Sequence, residues 1–421
     1  MENEALFLSI LKEELIPAMG CTEPIALAYA AAKGRAYLGA EPRSIVAHCS
    51  GNMIKNVRCV TIPNSDGMVG IEAAVALGAF GGKAELGMEV LEAVSGDDRA
   101  RVSAFLGAEG CKVEYLASDI PLHFILNLIG ESDEVSVEVR ESHMNVVSIS
   151  KNGVELFSGG SDEQADITDR SVLDIDSIKE FADTVAIAKI KKLFDRQIRY
   201  NMDIAYEGIS GDWGLGIGRM IRASYADGVV TRMKAYAAAA SEARMSGCDM
   251  PVIINSGSGN QGIASSVPVI VYARENDISQ ERLYRALAFS ALLTIHQKDH
   301  IGKLSEFCGA VSASCAACAA ITYMIGGNIQ QIKATIDNTL ANVPGILCDG
   351  AKISCAAKIA TSIDAAMMAH FLAMQDKEYA AFSGLLKQEA GETISCVGYI
   401  GKVGMRETDR EIVKMMLDNG K

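Results

Sequence analysis

The sequence predicts an α+β protein with a mixed N-terminal part carrying short strands and a larger, mainly helical C-terminal part. Three observations predict it. Alternating β-branched runs are confined to the stretch before residue 160, long Ala-rich runs follow residue 172, and Gly and Pro punctuate both. With 421 residues the chain has the length of two or three domains. The boundary is placed between 1–165, a mixed α/β part with a loop at Cys21, and 166–421, the helical part, with a junction near 160–172.

Residues 3–38 read as helix in two pieces, broken at Pro17-Ala-Met-Gly-Cys-Thr-Glu-Pro24, where two prolines and Gly20 prevent continuity. Residues 44–63 predict two short strands, with Ser50-Gly-Asn52 and Pro63-Asn-Ser-Asp-Gly67 as turns. Helices are expected over 70–107, then strands at 112–117, 134–140, 145–151 and 154–158. Asn152-Gly153 makes a hairpin of the last two. From 172 to 245 the pattern is helical, loosened by Gly208, Gly211, Gly214 and Gly216. A strand at 250–255 interrupts it, and Ala-rich helix resumes over 281–375, with breaks at Gly302, Gly326-Gly327 and Pro344-Gly345.

Thirty-nine Lys and Arg against 53 Asp and Glu give a net charge of −14, and no basic stripe is present. Aromatic residues are 6% of the chain, with one Trp, so nucleic acid is excluded as a partner on both charge and stacking surface. Eleven cysteines are too sparse and odd in number for a disulfide scaffold, which points to the reducing cytoplasm. Glu2, Glu4, Glu13 and Glu14 rule a secretory signal out of 1–15. The uncharged stretch 307–332 is long enough to span a bilayer, but its Ala, Ser, Cys and Gly content and Asn328, Gln330 and Gln331 read as buried structure. No membrane partner is expected.

The segment Asn255-Ser-Gly-Ser-Gly-Asn-Gln-Gly262 follows a strand and precedes a helix, so its backbone N–H groups can cradle an anion. No Lys-Ser/Thr pair closes it as in a P-loop, and no dinucleotide fingerprint is expected. A small carboxylate suits it better; a ligand-free Gly-rich turn stays equally open. Cys49, Cys59, Cys111 and Cys248 read as small buried hydrophobes, and Cys315 and Cys318 as helical core, since the alanines around them leave no loop for a metal knuckle. Cys308, Cys348 and Cys355 differ, because each lies at or near a break, and Gly350 lets Cys348 turn back toward Cys355. A helix starting near Gly350 would point its positive end at such thiolates. Three cysteines suit an iron–sulfur cluster with one iron lacking a protein ligand; zinc is the rival, at wider spacings than it prefers. Cys21, in the broken helix, is expected to be mobile and exposed, with its pKa lowered by the helix after Pro24. A plain buried thiol is the alternative. His296 and His300 read as a polar helix face.

Gly20-Cys-Thr-Glu-Pro24, Ser50-Gly-Asn-Met-Ile-Lys-Asn56, Asn255-Ser-Gly-Ser-Gly-Asn-Gln-Gly262, Lys303-Leu-Ser-Glu-Phe-Cys-Gly309 and Cys348-Asp-Gly-Ala-Lys352 together resemble the L-cysteine desulfidase family, related to the alpha part of iron–sulfur L-serine dehydratases. The resemblance covers essentially the whole chain. It implies a [4Fe–4S] cluster held by Cys308, Cys348 and Cys355, with Cys21 as base for β-elimination of a small L-amino acid. The substrate is expected to be L-cysteine, giving pyruvate, ammonia and sulfide, with L-serine as the alternative. Asn255, Ser256, Gly257, Ser258, Gly259, Asn260 and Gln261 would bind its carboxylate, with Asn52 and Lys55 as weaker polar contacts. No pyridoxal phosphate is expected, as no lysine lies in a recognisable Schiff-base motif. A homodimer stays open, and so does a non-catalytic amino-acid or redox sensor with the same fold.

Overall fold

The structure, a computed structural model, describes residues 3–159, 168–302, 304–305 and 307–418. It is an α+β fold with its strands concentrated in the N-terminal half. The expected boundary at 165/166, most of the junction, and Lys303 and Glu306 of the fourth motif lie outside the described residues.

The N-terminal half contains α1 (Glu4–Glu14), β1 (Pro17–Met19), α2 (Thr22–Leu38), β2 (Ser44–Cys49), α3 (Gly51–Val57), α4 (Gly70–Gly81) and α5 (Gly96–Gly107). Five strands follow: β3 (Cys111–Tyr115), β4 (His123–Ile129), β5 (Glu134–Arg140), β6 (Val146–Lys151) and β7 (Val154–Ser158). With β2 they form a six-stranded sheet of order β3-β2-β4-β5-β6-β7, in which only β2 and β3 run parallel. Helix α2 covers the buried face, its Gly34 so close that a Cβ would stand 2.6 Å from Leu128. Helix α4 packs on α2 as tightly, at Gly78 against the Ala28 carbonyl. The expected second strand within 44–63 is instead helix α3. Ser50 caps it, its Oγ accepting from the Met53 N–H, so the Ser-Gly-Asn signal starts a helix rather than turning a hairpin.

The helical half comprises α6 (Ile175–Thr184), α7 (Ile187–Ser210), α8 (Ile217–Ser224), α9 (Val229–Met245), β8 (Pro251–Ile253), α10 (Gly259–Glu275), α11 (Gln280–Ile301), α12 (Gly309–Met324), α13 (Ile329–Asn342), α14 (Cys355–Ala373), α15 (Ala390–Tyr399) and α16 (Arg406–Asp418). Helix α12 is buried from Ala310 to Met324, as a helix apolar on all sides must be. Cys315 and Cys318 are therefore core, while Cys59 is exposed, since it follows α3 at the surface. Among the described residues no helix is long and apolar enough to cross a membrane. The short antiparallel pair of β1 and β8, with Ala18 opposite Val252, joins the halves and sets Cys21 beside the segment that follows β8.

Candidate active site

Four helices begin at one place. Cys21 caps α2, Ser258 caps α10, Cys308 caps α12, and Cys355 is the first residue of α14. Cys21 and Cys355 share a buried cluster with Val60 and Met245. Gln261 lies on Gly309, where a Cβ would stand 2.4 Å from its Cδ. Four N-terminal dipole ends therefore bias the space between them toward anions.

The three cysteines expected at breaks come together by identifiable backbone devices. Phe307 and Leu347 form an isolated antiparallel bridge, and the Cys308 N–H donates to the Ile346 carbonyl at 2.8 Å, which sets Cys308 beside Cys348. Gly350 then reverses the chain at φ +97°, where a Cβ would lie 2.1 Å from the Lys55 carbonyl oxygen, so only glycine fits. Cys355 opens α14 one turn later. Hydrogen bonding from Cys308 lowers the Cys348 thiol below its ordinary range, and the Lys55 and Lys358 ammonium groups reinforce this; the same contact, with burial, raises Cys308. Burial raises Cys355.

Among the described residues no three His, Cys, Asp or Glu side chains are set to hold a single metal ion. A multi-iron cluster makes a different demand, since each thiolate binds its own iron. Two thiols at helix starts and a third, Cys348, favoured as thiolate and faced by two ammonium groups, fit that demand in donor type and charge.

Cys21 is 4% exposed, contrary to the expectation of a mobile, exposed thiol. The break in the first helix is filled by strand β1, which holds the loop against β8. Burial, then the nearby Glu23 carboxylate, pushes the thiol well above its ordinary range, outweighing the opposing charge of Arg244. Its Sγ donates to Glu23 Oε2 at 3.2 Å, and Thr22 Oγ1 donates to the same oxygen at 3.0 Å.

The segment after β8 is a two-residue turn. Asn255 and Ser258 exchange backbone hydrogen bonds at 3.1 and 3.0 Å, with Ser256 at φ +49° and Gly257 at φ +75°. Gly257, Gly259 and Gly262 do stand at G-x-G-x-x-G spacing, but they follow a three-residue strand in a two-stranded antiparallel pair, not the parallel sheet of a dinucleotide fold. Buried Asn201 anchors the segment, donating to the Ile253 carbonyl at 3.3 Å and the Gly262 carbonyl at 3.2 Å and accepting from the Ile253 N–H at 2.8 Å. Asn255 is spent on the scaffold, donating to the Ala291 carbonyl at 3.2 Å. Asn260 and Gln261 reach the site, the latter with a buried Oε1 that has no donor. Asn52 and Lys55 both turn to Asp409 of α16, at 2.7 and 2.5 Å.

Arg244, Glu23, His143 and Asp409 also stand at or beside the site, and the sequence pattern alone does not single them out. Arg244 lies against Gly259, and His143 Cε1 would be 3.2 Å from a Cβ on Gly257. Glu23 stood within the quoted Cys-Thr-Glu motif; the other three carried no signal. A separate surface cavity lined by Arg170, Asp174, His296, His300 and Lys333 contains none of the thiols.

The family described as "Serine dehydratase alpha chain" matches residues 85–414. The chain belongs to that family, a family of lyases acting on amino acids. It is 44% identical to a UPF0597 protein of Desulfitobacterium hafniense over 98% of this chain and 96% of the relative. A UPF0597 protein of Lachnoclostridium phytofermentans is 45% identical over 98% and 99%, and one of Bacteroides fragilis 34% over 98% of both.

Proposed function

We propose that the protein is an iron–sulfur lyase that converts L-cysteine and water to pyruvate, ammonia and hydrogen sulfide. The observation that carries this reading is the convergence of Cys21, Cys308 and Cys355 at helix starts, with Cys348 held beside Cys308 by the Phe307–Leu347 bridge, next to the buried turn at 255–262. Cys308, Cys348 and Cys355 would hold a [4Fe–4S] cluster, which supplies a Lewis-acidic iron with an open position for the leaving heteroatom.

The chain's own groups account for the remaining chemistry. The turn at 255–258 and the first N–H groups of α10 hold the substrate carboxylate. Gln261 Oε1, buried without a donor, accepts from the substrate ammonium. Cys21 removes the Cα proton once its own proton has passed to Glu23, which already accepts from Sγ. The Cα–H electron pair becomes the Cα=Cβ double bond, and the β-substituent leaves with the electron pair of its bond to Cβ. Released aminoacrylate tautomerises and hydrolyses without further protein groups. Burial of Cys21 and Cys355 keeps water from competing for the proton. The family match favours a second reading, L-serine to pyruvate and ammonia, with the same groups in the same roles.

Anaerobically reconstituted protein assayed for pyruvate with L-cysteine and L-serine side by side decides between them. The expected result is faster turnover and sulfide release with cysteine. Turnover of serine alone makes it a dehydratase, and absence of turnover with both sinks the enzymatic reading in favour of a sensor. Cys21→Ser should keep its iron and lose Cα proton exchange and turnover by ~10²-fold or more. Wild-type exchange in that variant would assign the base elsewhere.

A further inference from the structure

Arg244, the penultimate residue of α9, is the largest side chain among the fully buried ones, at 1% exposure. A guanidinium withdrawn from water needs an anion or a full set of acceptors. Arg244 has neither among the described residues. Its Nη1 donates to Asn260 Oδ1 at 3.1 Å, while Nε and Nη2 have no acceptor, and it enters no salt bridge. Nε and Nη2 form one edge of the guanidinium, the edge that takes both oxygens of a carboxylate in a fork. The edge lies at the start of α10. A Cβ on Gly259 would stand 2.3 Å from Nε and 2.8 Å from Nη2, so glycine there is what admits the guanidinium. Arg244 also lies near enough to Cys21 and Cys355 for its charge to act on both thiols.

We propose that Arg244 is the carboxylate anchor of this site, its free Nε–Nη2 edge and the N-terminus of α10 together taking the α-carboxylate of a free amino acid. This rests on the amino-acid reading above and sharpens it to a substrate class. An amino acid whose carboxyl is esterified, amidated or in peptide linkage brings no negative charge to the fork and leaves the guanidinium buried and unpaired. Arg244 therefore selects free amino acids over peptides and amides. Asn260 acts through Arg244, holding the guanidinium by Nη1 so that the opposite edge faces the site.

The test uses cluster-loaded full-length protein and two inhibitors, 3-mercaptopropionate, which has the thiol and carboxylate without the amine, and cysteamine, which has the thiol and amine without the carboxylate. In Arg244→Lys and Arg244→Gln, KM for cysteine and Ki for 3-mercaptopropionate should rise by ~10²-fold, the scale of charge-assisted hydrogen bonds. The cluster absorbance and the cysteamine Ki should hold. On the unaltered protein, L-cysteinamide should bind ~10²-fold more weakly than L-cysteine, a result that needs no variant to fold. Unchanged 3-mercaptopropionate binding in both variants, an equal loss of cysteamine binding, or equal affinity for amide and acid would overturn the proposal. Should wild-type protein bind 3-mercaptopropionate through Arg244 yet produce no pyruvate, the reaction fails and the anchor stands.

Discussion

Cys308 and Cys348 sit next to each other because of one backbone bridge, and Cys355 joins them because Gly350 reverses the chain. Cys315 and Cys318, only a few residues along α12, are fully buried in its interior, and burial raises both thiols, Cys315 to about 12. Iron content should separate the two sets. Cys308→Ser, Cys348→Ser and Cys355→Ser should each lose most of their iron after anaerobic purification, and Cys315→Ala and Cys318→Ala should keep it. Alanine suits the core pair, since a buried serine hydroxyl without a partner costs about 1–3 kcal/mol. Full iron in Cys348→Ser, or loss in Cys318→Ala, reverses the assignment. At this scale the sequence was readable where a residue type is rare and sits at a break, as with the three cysteines and Gly350. Arg244 was unreadable: in the run Ser-Glu-Ala-Arg-Met-Ser it resembles any solvated helix end, and only packing of α9 against α10 shows that it is buried.

Helix α16 is tied to α3 by charge more than by packing. Of its residues only Val413 is buried, against Gly51, while Asp409 pairs with Lys55, which is 2% exposed, and with Asn52. Removing Asp409 leaves a buried ammonium without its partner, a loss of about 3–5 kcal/mol in comparable pairs. Asp409→Ala should therefore release α16 before the rest of the fold, seen as faster proteolysis and amide exchange confined to 406–418. Unaltered protection there would mean that Val413 alone holds the helix. Elements differed in legibility for similar reasons. Strands β5 and β7 and the turn at Asn152 and Gly153, with φ +51° and +78°, follow the local pattern. Strand β4, central to the sheet, did not declare itself, because His-Phe-Ile-Leu-Asn-Leu-Ile lacks the strict apolar–polar alternation of a half-buried strand. β1 is three residues long and exists only by pairing with β8, more than 200 residues away, which no local pattern reports.

On the scale of the whole molecule, one contiguous buried cluster runs from Phe7 through the sheet and the central helices to Val397, and of the three histidines buried among the described residues two, His296 and His370, are strongly shifted by their burial. His296 on α11 is 9% exposed and meets His300 edge-on, with ring centroids 5.1 Å apart; His370 on α14 is 2% exposed, its Nδ1 2.8 Å from Thr322 Oγ1. Burial lowers both imidazoles from 6.5 to about 4, with the His300 charge adding to the effect at His296. Both are neutral in the folded protein at any pH above that range, whereas the unfolded chain protonates them below about 6.5. Between pH 6.5 and 4 the unfolded state thus binds more protons, and stability must rise with pH across that window. The full effect of each shift is on the order of 3 kcal/mol, and domains of ordinary stability have only about 5–15 kcal/mol in all. Thermal melting of the protein should accordingly be insensitive to these two groups above pH 6.5 and fall steeply toward pH 4. A His296→Gln, His370→Gln double variant should melt with a shallower dependence over the same interval. An identical slope in the double variant would place the acid sensitivity on the paired carboxylates at the surface instead of the enclosed imidazoles.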